Sequence, residues 1–334
     1  MKGVVLAAGY GSRLLPFTSY RPKQLLPVAG KPILMHSLEY IRDVLDIHEI
    51  IIVVGYQRSA IMDYFKSGED LGLDVSYVVQ HTNHPRGLAA AVSLVEDQIN
   101  TDFALLLGDN LFSANLKKVI DLHFEANATG TLHIEEHPNP QRFGVVEIEG
   151  DKVISVEEKP QNPRSNYVIT GFYVFTPTIF NMISGLKPSA RGEYELSDAI
   201  QELINNNYTV KAAQIEGWRQ DIGYPEDLLT VNKHYLTDLT HSIKGEIINS
   251  QIIQPVYIAK GSKVTDSVIG PYAMIEEGVE ISDSEIVNSV ILEKSSISRS
   301  VIRDSVIGTN SNVKGLKAHS LKVGDYSDIA NGTV

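Results

Sequence analysis

The sequence has 334 residues, 43% of them hydrophobic and 21% charged, a balance typical of a folded globular protein. Its formal net charge of −12 argues against nucleic acid or an anionic membrane as a partner. The absence of cysteine excludes disulfides, thiolate catalysis and cysteine-bound zinc. No run approaches the roughly 18 apolar residues of a membrane span. Because the N-terminus also lacks a signal-peptide core, we expect a cytoplasmic protein.

The first part of the chain predicts alternating strands and helices. Apolar runs predict strands at 4–8, 49–54, 74–80 and 103–107, and helical periodicity predicts helices at 33–44, 59–65 and 89–99. This alternation predicts an α/β fold with a Rossmann-like, mixed but mostly parallel sheet. Ligands of such sheets bind at the carboxyl ends of the strands.

From about residue 130 the predicted strands become shorter, at 130–136, 144–148, 152–157 and 168–175. We interpret this block as an insertion that covers a site rather than as a separate domain. Helices are predicted around 198–203 and at 225–236, with a loop of interest at 218–223 between them.

The last part of the chain is repetitive. Large aliphatic residues recur every five or six positions from Ile252 to Val313. Neither a helix nor a simple strand has this period, whereas each coil of a parallel β-helix uses three such repeats. About four coils are predicted. The predicted domains are therefore 1–238 and 239–334.

The two-glycine loop after the first predicted strand is the first candidate site. Gly9 and Gly11 allow backbone N–H groups to approach a phosphate, and Arg13 and Lys23 supply positive charge. Leu14 occupies the third glycine position of a dinucleotide fingerprint, and no Walker A sequence follows. A structural turn is the alternative, but the two cations favour a nucleoside triphosphate.

Two carboxylates, one after a predicted strand and one on a distant loop, are candidate metal ligands. Asp109 follows the strand at 103–107, and Asp221 lies in the loop at 218–223. Mg²⁺ is commonly bound through one or two carboxylates together with substrate phosphates. A strand-end turn explains Asp109 and Asn110 equally well on local grounds.

Two further segments carry polar residues suited to substrates. Lys159 could bind a sugar phosphate and Glu158 the sugar hydroxyls, although an exposed charged patch is the simpler interpretation. Gln80 and the Pro85–Arg86–Gly87 turn could read the edge of a base, with a solvated loop as the alternative.

Taken together, these segments resemble the sugar-phosphate nucleotidyltransferases, most closely the long-form glucose-1-phosphate thymidylyltransferases. The matching segments run in family order through about residues 1 to 235, and they are LAAGYGSRLLP at 6–16, PKQLLPV at 22–28, GY at 55–56, PRGLAA at 85–90, LGDN at 107–110, FGV at 143–145, EEKP at 157–160, TG at 170–171, RGEYELSD at 191–198 and WRQDIG at 218–223. The sequence departs from the common pattern at 219–223, where a Leu-Asp-Thr-Gly type is usual. The resemblance implies that the C-terminal β-helix is left-handed.

The resemblance also implies roles for individual residues. The catalytic residues would be Arg13, Lys23 and Lys159, with Mg²⁺ on Asp109 and Asp221. The nucleotide would be bound by Leu6, Ala8, Gly9, Gly11, Ser12, Arg13, Lys23, Gln80, Pro85, Gly87 and Asp109. The sugar phosphate would be bound by Asn110, Gly144, Glu158, Lys159, Ile169, Thr170, Gly171 and Trp218.

The expected reaction transfers a nucleotidyl group from dTTP to glucose-1-phosphate, with a homo-oligomer as the expected assembly. A uridylyltransferase acting on glucose-1-phosphate or N-acetylglucosamine-1-phosphate is the first alternative, because base identity depends on few contacts. A non-catalytic regulatory subunit is disfavoured by the presence together of the proposed cations and carboxylates. A second, acyl-transferring activity is disfavoured because no histidine lies between His241 and His319.

Overall fold

The computed structural model describes residues 1–239 and 242–331. The chain divides into two compact units, which we call unit 1 (Met1–Gly9 with Leu34–Arg219) and unit 2 (Tyr10–Ile33 with Gln220–Val334). The predicted domain boundary after residue 238 stays a prediction. Residues 240, 241 and 332–334 of the predicted second domain lie outside the described residues.

Helices and strands alternate between residues 33 and 107, as predicted, and four strands follow one another between residues 130 and 175. The strands are β1 (Lys2–Ala7), β2 (Pro27–Val28), β3 (Lys31–Pro32), β4 (Glu49–Val54), β5 (Asp74–Val79), β6 (Phe103–Leu107), β7 (Asn110–Phe112), β8 (Gly130–Glu136), β9 (Gly144–Glu149), β10 (Lys152–Glu158), β11 (Tyr167–Phe175), β12 (Val210–Gln214) and β13 (Arg219–Asp221). The helices are α1 (Ile33–Asp43), α2 (Arg58–Phe65), α3 (Leu88–Ser93), α4 (Lys117–Glu125), α5 (Thr178–Ser184), α6 (Leu196–Asn205) and α7 (Pro225–Thr237).

Unit 1 contains a nine-stranded sheet in the order β5-β4-β1-β6-β11-β8-β12-β10-β9. Strands β5, β4, β1 and β6 are parallel, and β11 is antiparallel to β6. This confirms the predicted Rossmann-like mixed sheet. Strands β8 to β11 belong to the same sheet, so the interpretation of 130–175 as a covering insertion was wrong. One apolar core, which includes Val4, Leu105 and Ile200, packs the sheet against its helices.

Unit 2 contains three parallel sheets of six, five and five strands. The strands are β14 (Glu246–Ile248), β15 (Gln251–Ile252), β16 (Val256–Ile258), β17 (Lys263–Thr265), β18 (Val268–Ile269), β19 (Ala273–Ile275), β20 (Glu280–Ser282), β21 (Glu285–Val287), β22 (Val290–Ile291), β23 (Ser296–Ser298), β24 (Val301–Arg303), β25 (Val306–Ile307), β26 (Asn312–Lys314), β27 (Lys317–His319), β28 (Lys322–Val323) and β29 (Asp328–Ala330).

The three sheets form a parallel β-helix, consistent with the predicted left-handed type. Each strand pairs with the next one in its sheet at a distance of 16 or 17 residues, as in Ile286 with Ile302 and Val264 with Ile281. The recurring aliphatic side chains are buried in one continuous core. The five strands of each shorter sheet mean that there are more coils than the four predicted, because the aliphatic series continues on both sides, at Ile247 and Val323.

Buried serines satisfy the polar groups at one corner of the β-helix. The hydroxyl of Ser267 accepts a hydrogen bond from Ser284 N at 3.0 Å, and that of Ser284 accepts one from Ser300 N at 3.1 Å. Each hydroxyl also donates to the carbonyl two residues earlier. Since buried polar groups need partners, the stacked serines stabilise the corner without breaking the apolar core.

Residues 10–33 pack within unit 2. The backbone N–H of Ala29 donates to Asn232 Oδ1 at 3.0 Å on helix α7. Gly30 has φ of +81°, and a Cβ there would lie 2.2 Å from the ring of Tyr257, so this position accepts only glycine. Within residues 1–239 and 242–331, no helix is long and apolar enough to cross a membrane.

Candidate active site

The carboxyl ends of β5, β4, β1 and β6 lie along one edge of the unit 1 sheet, because these strands are parallel neighbours. The predicted nucleotide-binding residues Ala8, Gly9, Gln80 and Asp109 follow three of these strands, and Leu6 lies near the end of β1. The backbone approaches closely along this edge. A Cβ at Gly55, which follows β4, would lie 2.8 Å from the carbonyl oxygen of Ala8. A concave edge of exposed strand ends is the usual ligand site of this architecture.

The predicted base-reading segment of unit 1 is held in a fixed shape. Gln80 Nε2 donates to the carbonyl of Pro85 at 3.3 Å. Gly87 has φ of +110°, and a Cβ there would lie 2.2 Å from Tyr194 O. The same Tyr194 carbonyl accepts a hydrogen bond from Ala89 N at 3.0 Å. Gln80 and Gly87 therefore lie on one braced loop, which brings together the two residues predicted to contact the base.

The predicted sugar-binding residues of unit 1 form a continuous wall. A Cβ at Gly171, where φ is +95°, would lie 2.8 Å from Asn110 Nδ2. A Cβ at Gly144 would lie 3.4 Å from the side chain of Ile169 and 3.3 Å from Glu158 Oε2. Neighbouring side chains fill the space beside both glycines, so each glycine allows the segments that carry the predicted residues to pack closely.

The carboxylate of Glu158, at one end of this wall, lies close to three donor side chains. Its Oε2 accepts a hydrogen bond from Ser197 Oγ at 2.5 Å, and its Oε1 lies 3.2 Å from Lys159 Nζ and 3.4 Å from Arg191 Nη1. Lys159 has φ of +45°, and its N–H donates to Phe143 O at 2.9 Å. The Lys159 side chain is 40% exposed, so it remains able to contact a phosphate.

A buried polar network lies behind the wall. Thr170 Oγ1 donates to His133 O at 3.1 Å and lies 2.7 Å from His133 Nδ1. Burial lowers the pKa of His133 to about 4, so its ring is neutral at physiological pH. Ser113 N donates a hydrogen bond to the carbonyl of Trp218 at 2.8 Å, and Trp218 N donates one to Ser113 Oγ at 2.8 Å. Thr170 and Trp218 are thus fixed by neighbours that local sequence motifs do not reveal.

In unit 2 the predicted phosphate-binding residues lie close to one another. Gly11 has φ of +65°, and a Cβ there would lie 3.1 Å from the side chain of Lys23. Ser12 begins a short 3₁₀-helix that contains Arg13. The Arg13 guanidinium lies 5.0 Å from the ring centroid of Tyr224, and a Cβ at Gly223 would lie 3.3 Å from Arg13 Nη2.

Strand β13, which ends at Asp221, is followed by a turn that is anchored to the start of helix α7. One carboxylate oxygen of Asp227 accepts hydrogen bonds from Gly223 N at 2.9 Å and Tyr224 N at 2.7 Å. Gln220 Nε2 donates to the other at 3.2 Å. Asp221 is half-buried, and its backbone position is set by these contacts.

The predicted site residues therefore divide between the units. Unit 1 contains the proposed base and sugar contacts with Asp109, and unit 2 contains Gly11, Ser12, Arg13, Lys23 and Asp221. Across residues 1–239 and 242–331, no three histidine or carboxylate side chains form a metal cluster. Asp109 of unit 1 and Asp221 of unit 2 are each half-buried, and each offers the hard carboxylate oxygen that Mg²⁺ prefers together with phosphate and water oxygens.

Sequence reasoning missed several polar residues at the wall. Arg219 is the main one, because its guanidinium contacts Asn110, Glu135 and the carbonyl of Thr170. Ser197 and Arg191 lie in the matching segment at 191–198 but were not predicted as site residues, and both contact Glu158. The signal that could have drawn attention to Arg219 was its departure from the common pattern at 219–223.

Comparisons with known proteins add a family context to this geometry. Residues 2–238 match the family model described as nucleotidyl transferase. A glucose-1-phosphate thymidylyltransferase of Streptomyces antibioticus is 33% identical over 98% of this chain and 99% of its own length. A UTP–glucose-1-phosphate uridylyltransferase of Haloferax volcanii is 44% identical over 68% of this chain and 93% of its own length. A solved structure, described as a glucose-1-phosphate thymidylyltransferase from Bacillus anthracis in complex with sucrose, matches with a TM-score of 0.65 and 33% identity over 72% of this chain and 96% of its own.

Proposed function

The chain belongs to the nucleotidyl transferase family, as a sugar-1-phosphate nucleotidyltransferase, and we propose that it transfers a thymidylyl group from dTTP to glucose-1-phosphate. The products are dTDP-glucose and pyrophosphate. The observation that carries this choice is the match to the Streptomyces thymidylyltransferase over nearly the full length of both chains, β-helix included.

Transfer from UTP is the second candidate. It is favoured by the higher identity, 44%, to the Haloferax uridylyltransferase over 68% of this chain. Thymine and uracil present the same donors and acceptors on their pairing edges, so contacts from Gln80 and Gly87 would accept both. Discrimination must then come from the thymine methyl group and from the ribose 2′-hydroxyl.

The proposed mechanism is an in-line displacement. A phosphate oxygen of the sugar-1-phosphate bonds to the α-phosphorus, and the bond from that phosphorus to the bridging oxygen breaks, so pyrophosphate leaves with the electron pair. No general base is needed, because a phosphomonoester with a second pKa of about 6 is largely dianionic at neutral pH.

The chain's own residues would supply positioning and positive charge. In this proposal Arg13 and Lys23 hold the triphosphate and neutralise the leaving pyrophosphate, while Lys159 holds the attacking phosphate. Asp109 and Asp221 would hold Mg²⁺, which when bound stabilises negative charge on the phosphates. The ordered loop from Gln80 to Gly87 would orient the base.

The test measures pyrophosphate release from dTTP, UTP, ATP, CTP and GTP with glucose-1-phosphate or N-acetylglucosamine-1-phosphate, in the presence of Mg²⁺. We expect the highest kcat/KM with dTTP and glucose-1-phosphate. A clear preference for UTP would replace the proposal by the second candidate. Lack of activity with every pair would favour a non-catalytic regulatory subunit.

One additional nucleotide, dUTP, separates the sources of discrimination. Comparison of dTTP with dUTP isolates the methyl group, and comparison of dUTP with UTP isolates the 2′-hydroxyl. Asp109→Asn serves as the control for pyrophosphate release that does not come from this site. Equal kcat/KM for all three nucleotides would show that the pocket does not select between thymidylyl and uridylyl transfer.

A further inference from the structure

Arg219 donates hydrogen bonds to three residues at or beside the sugar wall. Its Nη1 donates to Asn110 Oδ1 at 2.9 Å and to the carbonyl of Thr170 at 3.3 Å. Its Nε and Nη2 both donate to Glu135 Oε1, at 3.1 and 2.7 Å. The side chain is only 7% exposed, so these bonds lie away from bulk water. We propose that Arg219 is a positioning residue that orients the Asn110 amide as a hydrogen-bond donor to the sugar.

The orientation of the Asn110 amide follows from the chemistry of its neighbour. A guanidinium group has donors and no acceptor, so the amide oxygen of Asn110, and not its nitrogen, must face Arg219. The Nδ2 group therefore points the other way, to 3.4 Å from Asp109 Oδ1 and beside Gly171. Asn110 is 3% exposed, so it has little freedom to turn over.

The guanidinium is itself held on the opposite side. The Glu135 carboxylate accepts two of its donors, and the Phe143 ring centroid lies 5.9 Å from its central carbon. A buried charge needs such a partner, since an unpaired one is strongly unfavourable. With both ends fixed, Arg219 has one orientation available to it.

The same guanidinium also fixes the backbone of the wall. By binding the Thr170 carbonyl it restrains the peptide that precedes Gly171, and the Thr170 side chain is restrained separately by His133. Asn110 and Gly171 are thereby held in a constant relation within unit 1. A donor amide beside a backbone surface is suited to an acceptor oxygen of a hexose, such as a hydroxyl group.

This inference rests on the proposed function, because it assumes that a sugar occupies the wall. It predicts that Arg219 affects the sugar part of the substrate and not the nucleotide. The ratio of the Kd for dTDP to the Kd for dTDP-glucose measures the sugar contribution directly, and it requires no turnover. UDP and UDP-glucose replace this pair if UTP is the preferred nucleotide.

Arg219→Met keeps a long side chain in the buried space while it removes the donors. Loss of an oriented hydrogen bond should weaken binding of the nucleotide-sugar by roughly five- to twentyfold. The Kd for the free nucleotide should change less than twofold. Arg219→Lys, which retains the charge and a single donor nitrogen, should recover part of the loss. Arg164→Met is the matched control, because Arg164 is an exposed arginine of unit 1 paired with Glu147 at 3.8 Å.

A double-mutant cycle separates positioning from a general structural role. If Arg219 acts through Asn110, Arg219→Met should add less than a twofold loss in the Asn110→Ala background. Full additivity, or equal losses for nucleotide and nucleotide-sugar, would overturn the inference. If Arg219→Met does not fold, Glu135→Gln weakens the anchor of the guanidinium and should give a smaller loss in the same ratio. A wild-type protein that binds nucleotide and nucleotide-sugar equally would instead count against the proposed function.

Discussion

The ion pair between Arg21 and Asp325 gives the sharpest test of how residues 10–33 are held in unit 2. Arg21 Nη2 donates to Asp325 Oδ2 at 2.8 Å and to Thr309 Oγ1 at 2.7 Å. Arg21 lies between Arg13 and Lys23 in the sequence, whereas Asp325 and Thr309 belong to the β-helix. Arg21→Ala should therefore destabilise the segment that carries the proposed triphosphate-binding residues.

The magnitude follows from the burial of the two partners. The Asp325 side chain is fully buried, and the variant would leave it only the N–H of Thr309, which donates to Oδ1 at 2.8 Å. Removal of one partner from a buried pair costs about 3–5 kcal/mol. Because Arg21 is 21% exposed and one hydrogen bond remains, water can offset part of this cost. We expect a loss of about 2–3 kcal/mol.

That loss sets an upper limit on the functional effect. If the whole free energy is needed to order residues 10–33 before dTTP binds, the affinity for dTTP would fall roughly 30- to 150-fold. We therefore expect the KM for dTTP to rise at least severalfold while the KM for glucose-1-phosphate stays near its wild-type value. Initial rates of pyrophosphate release give both KM values, and calorimetry gives the decrease in Tm.

Two variants make this test specific. Asp325→Ala combined with Arg21→Ala removes the uncompensated carboxylate and should recover part of the lost Tm. Arg303→Ala is the matched control, because Arg303 forms an exposed pair with Glu285 elsewhere on the β-helix. An Arg21→Ala protein with unchanged Tm and unchanged KM for dTTP would refute the reasoning.

The remaining predictions concern charge, backbone space and pH. Asp109→Asn and Lys159→Ala should each lower kcat by on the order of a hundredfold or more, because in the proposed mechanism Asp109 is a ligand of Mg²⁺ and Lys159 holds the attacking phosphate; wild-type rates of pyrophosphate release in both would remove them from the site. Gly171→Ala should raise the KM for the sugar phosphate and lower Tm, because its Cβ would meet a side-chain amide nitrogen at 2.8 Å with φ at +95°; Gly185→Ala, with its nearest contact at 3.7 Å, is the control. Burial, together with neighbouring carboxylates, raises the pKa of the Glu276 carboxyl from about 4.5 to about 7. Between these two pH values the folded state keeps a proton on Glu276 that the unfolded chain has lost. The contribution of this proton to stability is complete below about pH 4.5 and is lost as the pH rises through about 7. Glu276→Gln should therefore raise Tm at pH 8 more than at pH 5, and an equal change in Tm at both pH values would contradict this prediction.

Periodicity predicted those elements whose buried residues are large and aliphatic. The predicted strands at 49–54 and 103–107 have the bounds of β4 and β6, because each is a nearly continuous apolar run. Strand β12 was missed because it buries the small side chains of Ala212 and Ala213, which give a weak pattern. Helix α4 was missed because part of its buried face is His123.

Local motifs predicted which residues follow strand ends, but not which side chains hold them. The Asp109–Asn110 pair was found because it ends an apolar run. Glu135, which anchors Arg219, lies 84 residues earlier in the chain, and nothing in the local sequence links the two. Such pairs depend on the order of strands in the sheet, which a single sequence determines only coarsely.

The same limitation applies to the β-helix. Its aliphatic period revealed the coils but not which part of the chain packs against them. Arg21 and Asp325 are 304 residues apart in the sequence, yet they form an ion pair. Gly30 lies close to the ring of Tyr257, which a side chain at residue 30 would overlap. Residues 10–33 therefore depend for their conformation on the β-helix and helix α7. Since this segment carries Arg13 and Lys23, the repeats have a direct physical route by which they can affect triphosphate binding, in addition to any role in assembly.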